Sequence, residues 1–212
     1  MLGVMKHLTL TAVVLFSLMA SPFASHAQVN PSFEDPITMD GPPFVGFWEG
    51  FNGGGATAGN SSLMARTGSQ SLRLSIGNTI NTFAGAFQDL SGLASGTEYV
   101  FGGWHATSSN PLDVGVELRI EWRNAGGEVS RTPNMTPIPG AAFAQFSLTA
   151  TVPVGADVAR IVYAIQSFST APSGNGVVFV DDISFTVVPE PGTVILFGLG
   201  GLALVAMRRR RA

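Results

Sequence analysis

The chain has 212 residues, of which only 12 % are charged, whereas glycine (26) and proline (13) are plentiful. This composition is typical of an all-β domain with many turns and does not suit a helical bundle. The chain contains no cysteine, which excludes disulfides, cysteine nucleophiles, thiolate zinc sites and thiol redox chemistry.

The charges are distributed unevenly along the chain. Residues 28–190 hold all fourteen acidic residues but only six arginines and no lysine, so their net charge is −8. Because phosphate contacts need clustered Lys and Arg, we expect no nucleic-acid partner. An acidic domain is compatible with cations, with neutral glycans or simply with solubility.

The N-terminus predicts a cleaved signal peptide over residues 1–27. A short polar segment with Lys6 precedes the apolar run Leu8–Ala20, and small residues follow at the −3 and −1 positions. We therefore expect a signal helix, export by the Sec machinery and cleavage between Ala27 and Gln28. The alternatives are a core helix or a membrane anchor, for which the apolar run is short.

Residues 28–187 predict one β-sandwich of about eight strands. Polar and apolar residues alternate most clearly over 116–123, where Trp122 shares its parity with three aliphatic residues and is assigned to the core. The Gly-, Ala-, Asn- and Ser-rich segment Asn52–Ser62 is predicted to be a flexible loop. Further strands are predicted over 71–76, 83–90, 98–107, 146–152, 161–165 and 177–187.

Five short motifs follow one another along this domain: Asn30–Glu34, Gly68–Leu74, Tyr99–Trp104, Phe146–Pro153 and Phe179–Phe185. In this order they resemble the carbohydrate-binding modules of the CBM4/9/22 type, which are jelly-roll sandwiches with a galactose-binding-like fold. The resemblance implies that fold and a sugar-binding role.

The resemblance also implies a structural calcium ion held by Glu34 and Asp181. Strand parity places Asp181 on one face with Phe179, Ile183 and Phe185, where a carboxylate is unfavourable unless it is paired or metal-bound. Oxygen ligands suit calcium, although two carboxylates fall short of the six to eight oxygens that it takes. The alternative is that Asp181 accepts backbone N–H bonds while Glu34 is solvated.

A saccharide site needs flat aromatic rings for the sugar faces and polar groups for the hydroxyls. Trp104 has the opposite parity to Tyr99 and Phe101, so we expect its side chain on the concave face. The candidate ligand-binding residues are Trp104, Trp48, His105 and Gln88, with Tyr163 as a further polar group.

Catalysis is not expected. His105 is the one histidine between residues 28 and 190, and no Gly-x-Ser-x-Gly elbow is present, so neither a two-histidine metal site nor that type of triad can form. An enzyme would require a carboxylate pair facing a cleft, which counting residues does not exclude.

The C-terminus, residues 188–212, combines three features in order. Pro189, Glu190 and Pro191 precede the apolar run Val194–Met207, and a cluster of arginines closes the chain. As a helix the run would span only about 21 Å, short of a ~30 Å hydrocarbon core, which favours a transient transmembrane signal over a lasting anchor. The arginines favour a cytoplasmic end. They are Arg208, Arg209, Arg210 and Arg211.

This tail resembles the PEP-CTERM sorting signal, which is recognised by an exosortase, a membrane protease-transpeptidase thought to cut near Pro-Glu-Pro. The resemblance implies a protein exported to the cell envelope, surface or matrix of a Gram-negative bacterium, with transient inner-membrane anchoring. An ordinary C-terminal anchor is the alternative. Two functions remain open: a displayed module that binds exopolysaccharide, and a structural matrix or floc protein without a saccharide site.

Overall fold

The computed structural model describes residues 28–42, 44, 47–167 and 175–189, and within them ten strands and no helix. The predicted signal helix (1–27) and the predicted transmembrane helix (Val194–Met207) lie outside the described residues. In the described ranges, no helix has the length and apolarity needed to cross a membrane.

The strands form two antiparallel five-stranded sheets. Sheet 1 has the order β1-β4-β9-β6-β7 and sheet 2 has the order β2-β3-β10-β5-β8. The strands are β1 (Glu49–Gly53), β2 (Thr57–Ser61), β3 (Ser71–Ile76), β4 (Thr82–Ser91), β5 (Glu98–Thr107), β6 (Gly115–Asn124), β7 (Gly127–Arg131), β8 (Ala144–Thr151), β9 (Val158–Ser167) and β10 (Gly176–Val187).

The two sheets pack face to face around one hydrophobic core. The rings of Tyr163 on β9 and Phe146 on β8 lie 5.3 Å apart across the interface. Trp122 is 3 % exposed, which confirms its predicted place in the core. The alternation of polar and apolar residues determines which face of each strand enters the core. The predicted all-β sandwich is therefore confirmed.

Ten strands form instead of about eight because three short ones carry little hydrophobic signal. The predicted flexible loop Asn52–Ser62 is wrong: β1 ends within it and pairs with β4, and β2 lies inside it and pairs with β3. Backbone hydrogen bonds hold these strands, and a backbone ladder does not depend on large side chains. The third is β7, which is mostly exposed and pairs with β6.

The closing strand departs from the predicted parity at Asp182. This residue has a positive φ of 46°, and the pairing of β10 with β5 shifts register between Asp181 and Ser184. The shift is a β-bulge, which moves the following side chains to the opposite face. Asp181 therefore lies on the outer face of sheet 2, while Ile183 and Phe185 enter the core.

The described hydrophobic core lies within the middle of the chain. Its buried residues run from Phe33 to Phe185, and all ten strands lie between Glu49 and Val187. Residues 28–187 thus contain every element of the described sandwich. The division into 1–27, 28–187 and 188–212 stays a prediction.

Candidate functional site: the outer face of sheet 1

Side chains on the outer face of sheet 1 come from four neighbouring strands. Their register brings Phe51 of β1 next to Gly85 of β4, and Gly85 next to Ala164 of β9. Phe83 and Phe87 flank Gly85 along β4, and Phe83 is 39 % exposed. The face therefore has a floor of small residues bordered by aromatic rings.

The glycine in this floor is required by packing. A side chain at Gly85 would place its Cβ 2.8 Å from the Cβ of Ala164 and into the ring of Phe51. Real Cβ contacts are not this short, so any larger residue would displace the Phe51 ring. Gly85 thus leaves the space that the Phe51 ring occupies.

Polar groups border the same floor. Gln166 of β9 pairs with Phe83, and Glu117 of β6 pairs with Ala164. Arg119 donates hydrogen bonds to Glu117 and to Glu121, the latter from Nε at 2.9 Å and from Nη2 at 2.8 Å. Hydrogen-bonding groups and aromatic rings therefore share one surface, which is the combination that a saccharide site needs.

A ladder of alternating charges crosses the other end of this face. Four residues pair in sequence across adjacent strands, one from each of β4, β9, β6 and β7. They are Asp89, Arg160, Glu121 and Arg131. Arg160 binds both carboxylate oxygens of Asp89 at 2.7 Å, and its guanidinium lies 3.8 Å from the centroid of the Phe87 ring. This end of the face is filled by its own side chains.

Glu117 and Glu121 are a carboxylate pair on one face, the feature that an enzyme would require. Both accept hydrogen bonds from the single guanidinium of Arg119. Glycoside cleavage needs two carboxyl groups that are free to act on either side of the scissile bond, whereas here one guanidinium bridges the two. The arrangement serves structure and hydrogen bonding better than acid catalysis.

His105, predicted as a ligand contact, lies in the core instead. It is 3 % exposed, and its Nδ1 shares a hydrogen bond of 2.7 Å with the hydroxyl of Tyr163 from the opposite sheet. Burial lowers the pKa of His105 to about 4 and raises the pKa of Tyr163 well above its usual value. The prediction is corrected because a side chain sealed between two sheets cannot contact a polysaccharide.

Trp48 and Gln88 are buried as well. Trp48 is 1 % exposed, packs against Phe33 and donates a hydrogen bond from Nε1 to the Asn30 carbonyl at 3.1 Å. Gln88 is 4 % exposed and binds both backbone groups of Val29. Both residues hold the N-terminal segment against the sandwich, so their predicted ligand contacts are corrected for the same reason.

Trp104 lies on the outer face of sheet 2, with the parity predicted for it. The guanidinium of Arg66 lies 3.8 Å from the centroid of its ring and pairs with Asp182 at 2.5 Å. This cation–π contact covers one face of the ring. A ligand role for Trp104 stays a prediction, and it would require Arg66 to move or to take part.

Glu34 and Asp181 bind the same short loop. Asp181 is fully buried and accepts the backbone N–H of Arg66 at 2.6 Å and that of Thr67 at 3.2 Å. Burial raises the pKa of Asp181, and these hydrogen bonds oppose that rise. Glu34 is exposed, and hydrogen bonds from Ser69, chiefly from its hydroxyl, lower the pKa of Glu34.

The donor set at this loop fits calcium in kind but falls short in number. Two carboxylates supply the hard oxygen ligands that calcium prefers. In the described part of the chain, no group of three or more His, Cys, Asp and Glu is placed to hold a metal. Backbone carbonyls and water would have to complete the shell, and the calcium ion stays a prediction.

Comparison with protein families identifies the tail. The PEP-CTERM protein-sorting motif matches residues 187–211, which include Pro189, Glu190, Pro191 and the terminal arginines. The chain thus carries a signal of exported, cell-envelope or surface proteins, for which an exosortase is the implied processing partner. A search of curated proteins finds no match.

Solved structures with a similar fold include carbohydrate-binding modules. The CBM22-1 xylan-binding domain of Paenibacillus barcinonensis Xyn10C is 13 % identical with a TM-score of 0.50, covering 75 % of this chain and 92 % of that one. A CBM4 module is 16 % identical with a TM-score of 0.54, covering 76 % and 100 %. At such identities the likeness establishes the fold alone: a jelly-roll sandwich of the carbohydrate-binding-module type.

A third similar structure is the enzymatically active domain of tailspike protein 4 from bacteriophage CBA120. It is 20 % identical with a TM-score of 0.57 over 79 % of this chain, and the chain spans only 22 % of that protein's length. The similarity is thus to one part of a larger chain, and it carries no activity over to this protein.

The sequence contains only a weak signal for the residues on the outer face of sheet 1. In β4 the outward positions read Phe83, Gly85, Phe87 and Asp89, and the intervening inward positions are alanines, a glutamine and a leucine. Because both sets include apolar residues, the parity that separates core from surface is weak there.

Proposed function

We propose that this protein is an exported, non-catalytic glycan-binding module that contacts polysaccharide with the outer face of sheet 1. The observation that carries the proposal is the placement of Phe51 and Phe83 beside the Gly85–Ala164 floor, with Gln166 and Glu117 at its border. The C–H face of a pyranose stacks on an aromatic ring, and polar side chains bind its hydroxyls.

Charge and fold support a neutral saccharide as the ligand. The net charge of residues 28–190 is −8, and on the sheet 1 face the arginines are paired with carboxylates. Among the described residues of this face, no arginine is without a carboxylate partner, so none is left to attract a polyanion. The fold that the chain shares with carbohydrate-binding modules also supports a saccharide ligand.

Binding to a panel of neutral polysaccharides, measured with residues 28–187, tests this proposal. We expect Phe83→Ala to weaken binding about tenfold, or about 1.4 kcal/mol, because it removes a partly exposed ring without opening the core. Val154→Ala is the control, since this residue is 89 % exposed in the turn before β9, whereas Phe83 pairs with Gln166 at the other end of that strand.

The variant Trp104→Ala distinguishes a binding site on sheet 1 from one on sheet 2. Loss of binding in this variant with full binding in Phe83→Ala would move the site to sheet 2 and contradict the proposal. Failure of the parent domain to bind any glycan would favour the structural matrix or floc protein. The filled charged end of the face, where Val162 is only 1 % exposed, is the observation that favours this second function.

We propose that the tail directs delivery in a Gram-negative cell. After Sec-dependent export, the Val194–Met207 segment would hold the chain in the inner membrane until an exosortase cuts near Pro189–Pro191. In a host with an exosortase we expect a mature protein that lacks the tail, detectable by mass spectrometry. Substituting Glu190 by Ala should leave the tail attached, and an unchanged mature mass in that variant would contradict the proposal.

We also propose that calcium binds beside Glu34 and Asp181. Support comes from two carboxylates, one near each end of the domain, that face the same loop of residues 66–70. Bound calcium would link the N-terminal segment, this loop and β10. The calcium dependence of unfolding tests this proposal.

A further inference from the structure

A shallow groove lies on the outer side of β2 and β3, at the edge of sheet 2. Its volume is about 220 Å³, and its lining includes Thr57, Gly59, Ser61, Leu63 and Arg73. It lies on the opposite side of the sandwich from the sheet 1 face. The proposed function therefore leaves this groove unexplained.

Arg73 differs from the other arginines of the domain. Each of the other five forms an ion pair with a carboxylate, whereas within the described residues the side chain of Arg73 makes one hydrogen bond, to the hydroxyl of Ser75 at 3.4 Å. Its Nε is shielded from solvent and has no hydrogen-bond partner there. A buried donor without an acceptor is unfavourable, so this guanidinium has hydrogen-bonding capacity left for a ligand. The paired arginines are Arg66, Arg119, Arg123, Arg131 and Arg160.

The lining of the groove is suited to an anionic group on a polar ligand. It includes one guanidinium, two hydroxyl side chains and no carboxylate. Gly59 pairs with Arg73 across the strands, and a Cβ at Gly59 would meet nothing within 4 Å, so space is open beside the guanidinium. A guanidinium binds a carboxylate through two parallel hydrogen bonds.

We propose that this groove binds the carboxylate of an acidic sugar, such as a hexuronic acid unit of a polysaccharide. Arg73 pairs with the carboxylate, and Thr57 and Ser61 bind neighbouring hydroxyls. The inference goes beyond the proposed function, because it adds a second site with a different ligand class. Since the domain is acidic overall, the attraction is local and salt weakens it.

Affinity electrophoresis of residues 28–187 in gels containing polygalacturonate tests the proposal. We expect retardation of the parent domain and a loss of about tenfold in affinity for Arg73→Gln. Gly59→Val fills the groove without strain, because the residue lies in a strand with open space beside it, and it should cause a similar loss. Arg131→Gln removes the same charge from an exposed position on sheet 1 and should bind like the parent.

Two further gels complete the test. A neutral galactan gel distinguishes binding at this groove from binding at the sheet 1 face. Arg73→Gln should leave galactan binding unchanged, and Phe83→Ala should leave polygalacturonate binding unchanged. A dextran sulfate gel distinguishes carboxylate from sulfate, and retardation by dextran sulfate alone would overturn the assignment. Equal retardation of the parent, Arg73→Gln and Gly59→Val by polygalacturonate would also overturn it.

Discussion

The free energy of unfolding is expected to fall by about 3 kcal/mol between pH 6.5 and pH 4 through His105 alone. The cause is burial of the imidazole between the sheets, which lowers its pKa from 6.5 to about 4. The folded state keeps His105 neutral, whereas the unfolded chain protonates it from pH 6.5 downward. The stabilising contribution is therefore fully present above pH 6.5 and is lost as the pH falls through this window.

Urea unfolding of residues 28–187 over this pH range measures the effect. His105→Gln cannot titrate, so the pH dependence of its stability should be smaller than that of the parent by the stated amount. His105 is the one histidine of this segment, so it supplies the histidine titration of the domain. Asp181, with its raised pKa, contributes in the opposite sense, and the comparison with His105→Gln removes that contribution.

Tyr163→Phe is the matched control for this prediction. It removes the hydroxyl bound to His105 but retains the burial that lowers the histidine pKa. Its stability should be lower at every pH, and its pH dependence should match that of the parent. If His105→Gln and the parent lose stability in parallel as the pH falls, the neutral buried histidine is refuted.

Asp181→Ala is expected to destabilise the domain by about 3 kcal/mol at neutral pH. The substitution leaves two backbone N–H groups of the 66–67 segment and that of Asp182 without their acceptor, and each unmade buried hydrogen bond destabilises by about 1–3 kcal/mol. Urea unfolding measures the loss. Glu128→Ala is the control, because it removes a carboxylate from the more exposed ion pair with Arg131 and should have a small effect.

Calcium provides a second result from the same samples. A ligand that binds only the folded state raises the unfolding temperature. We expect millimolar calcium to raise the Tm of the parent above its value in EGTA and to leave Asp181→Ala unchanged. Equal Tm values of the parent in both buffers would refute the calcium ion, and a loss of less than about 1 kcal/mol in Asp181→Ala would refute the acceptor role.

The two outer faces of the sandwich differ in how their charges are used. On sheet 1, arginine and carboxylate side chains pair along a ladder, and the remaining surface is aromatic and polar. On sheet 2, Arg66 covers Trp104, while Arg73 is without an ion pair among the described residues. The two proposed sites therefore differ in ligand class: neutral sugar units on sheet 1, and a carboxylate at Arg73.

The sequence alone was sufficient for the sorting tail, the fold class and most strand positions. The strand Glu98–Thr107 was predicted with the observed bounds, and Trp122 was placed in the core. These features depend on local patterns, since side chains alternate between the faces of a strand along consecutive residues.

Only the tertiary structure decided which aromatic and polar residues lie at the surface. Trp48, Gln88 and His105 have the chemistry of ligand contacts, yet segments distant in sequence cover them: the N-terminal segment covers the first two, and β9 covers the third. Because of the bulge at Asp182, Asp181 and Phe185 lie on opposite faces of β10. Burial and register depend on contacts between distant segments, and no local pattern records those contacts.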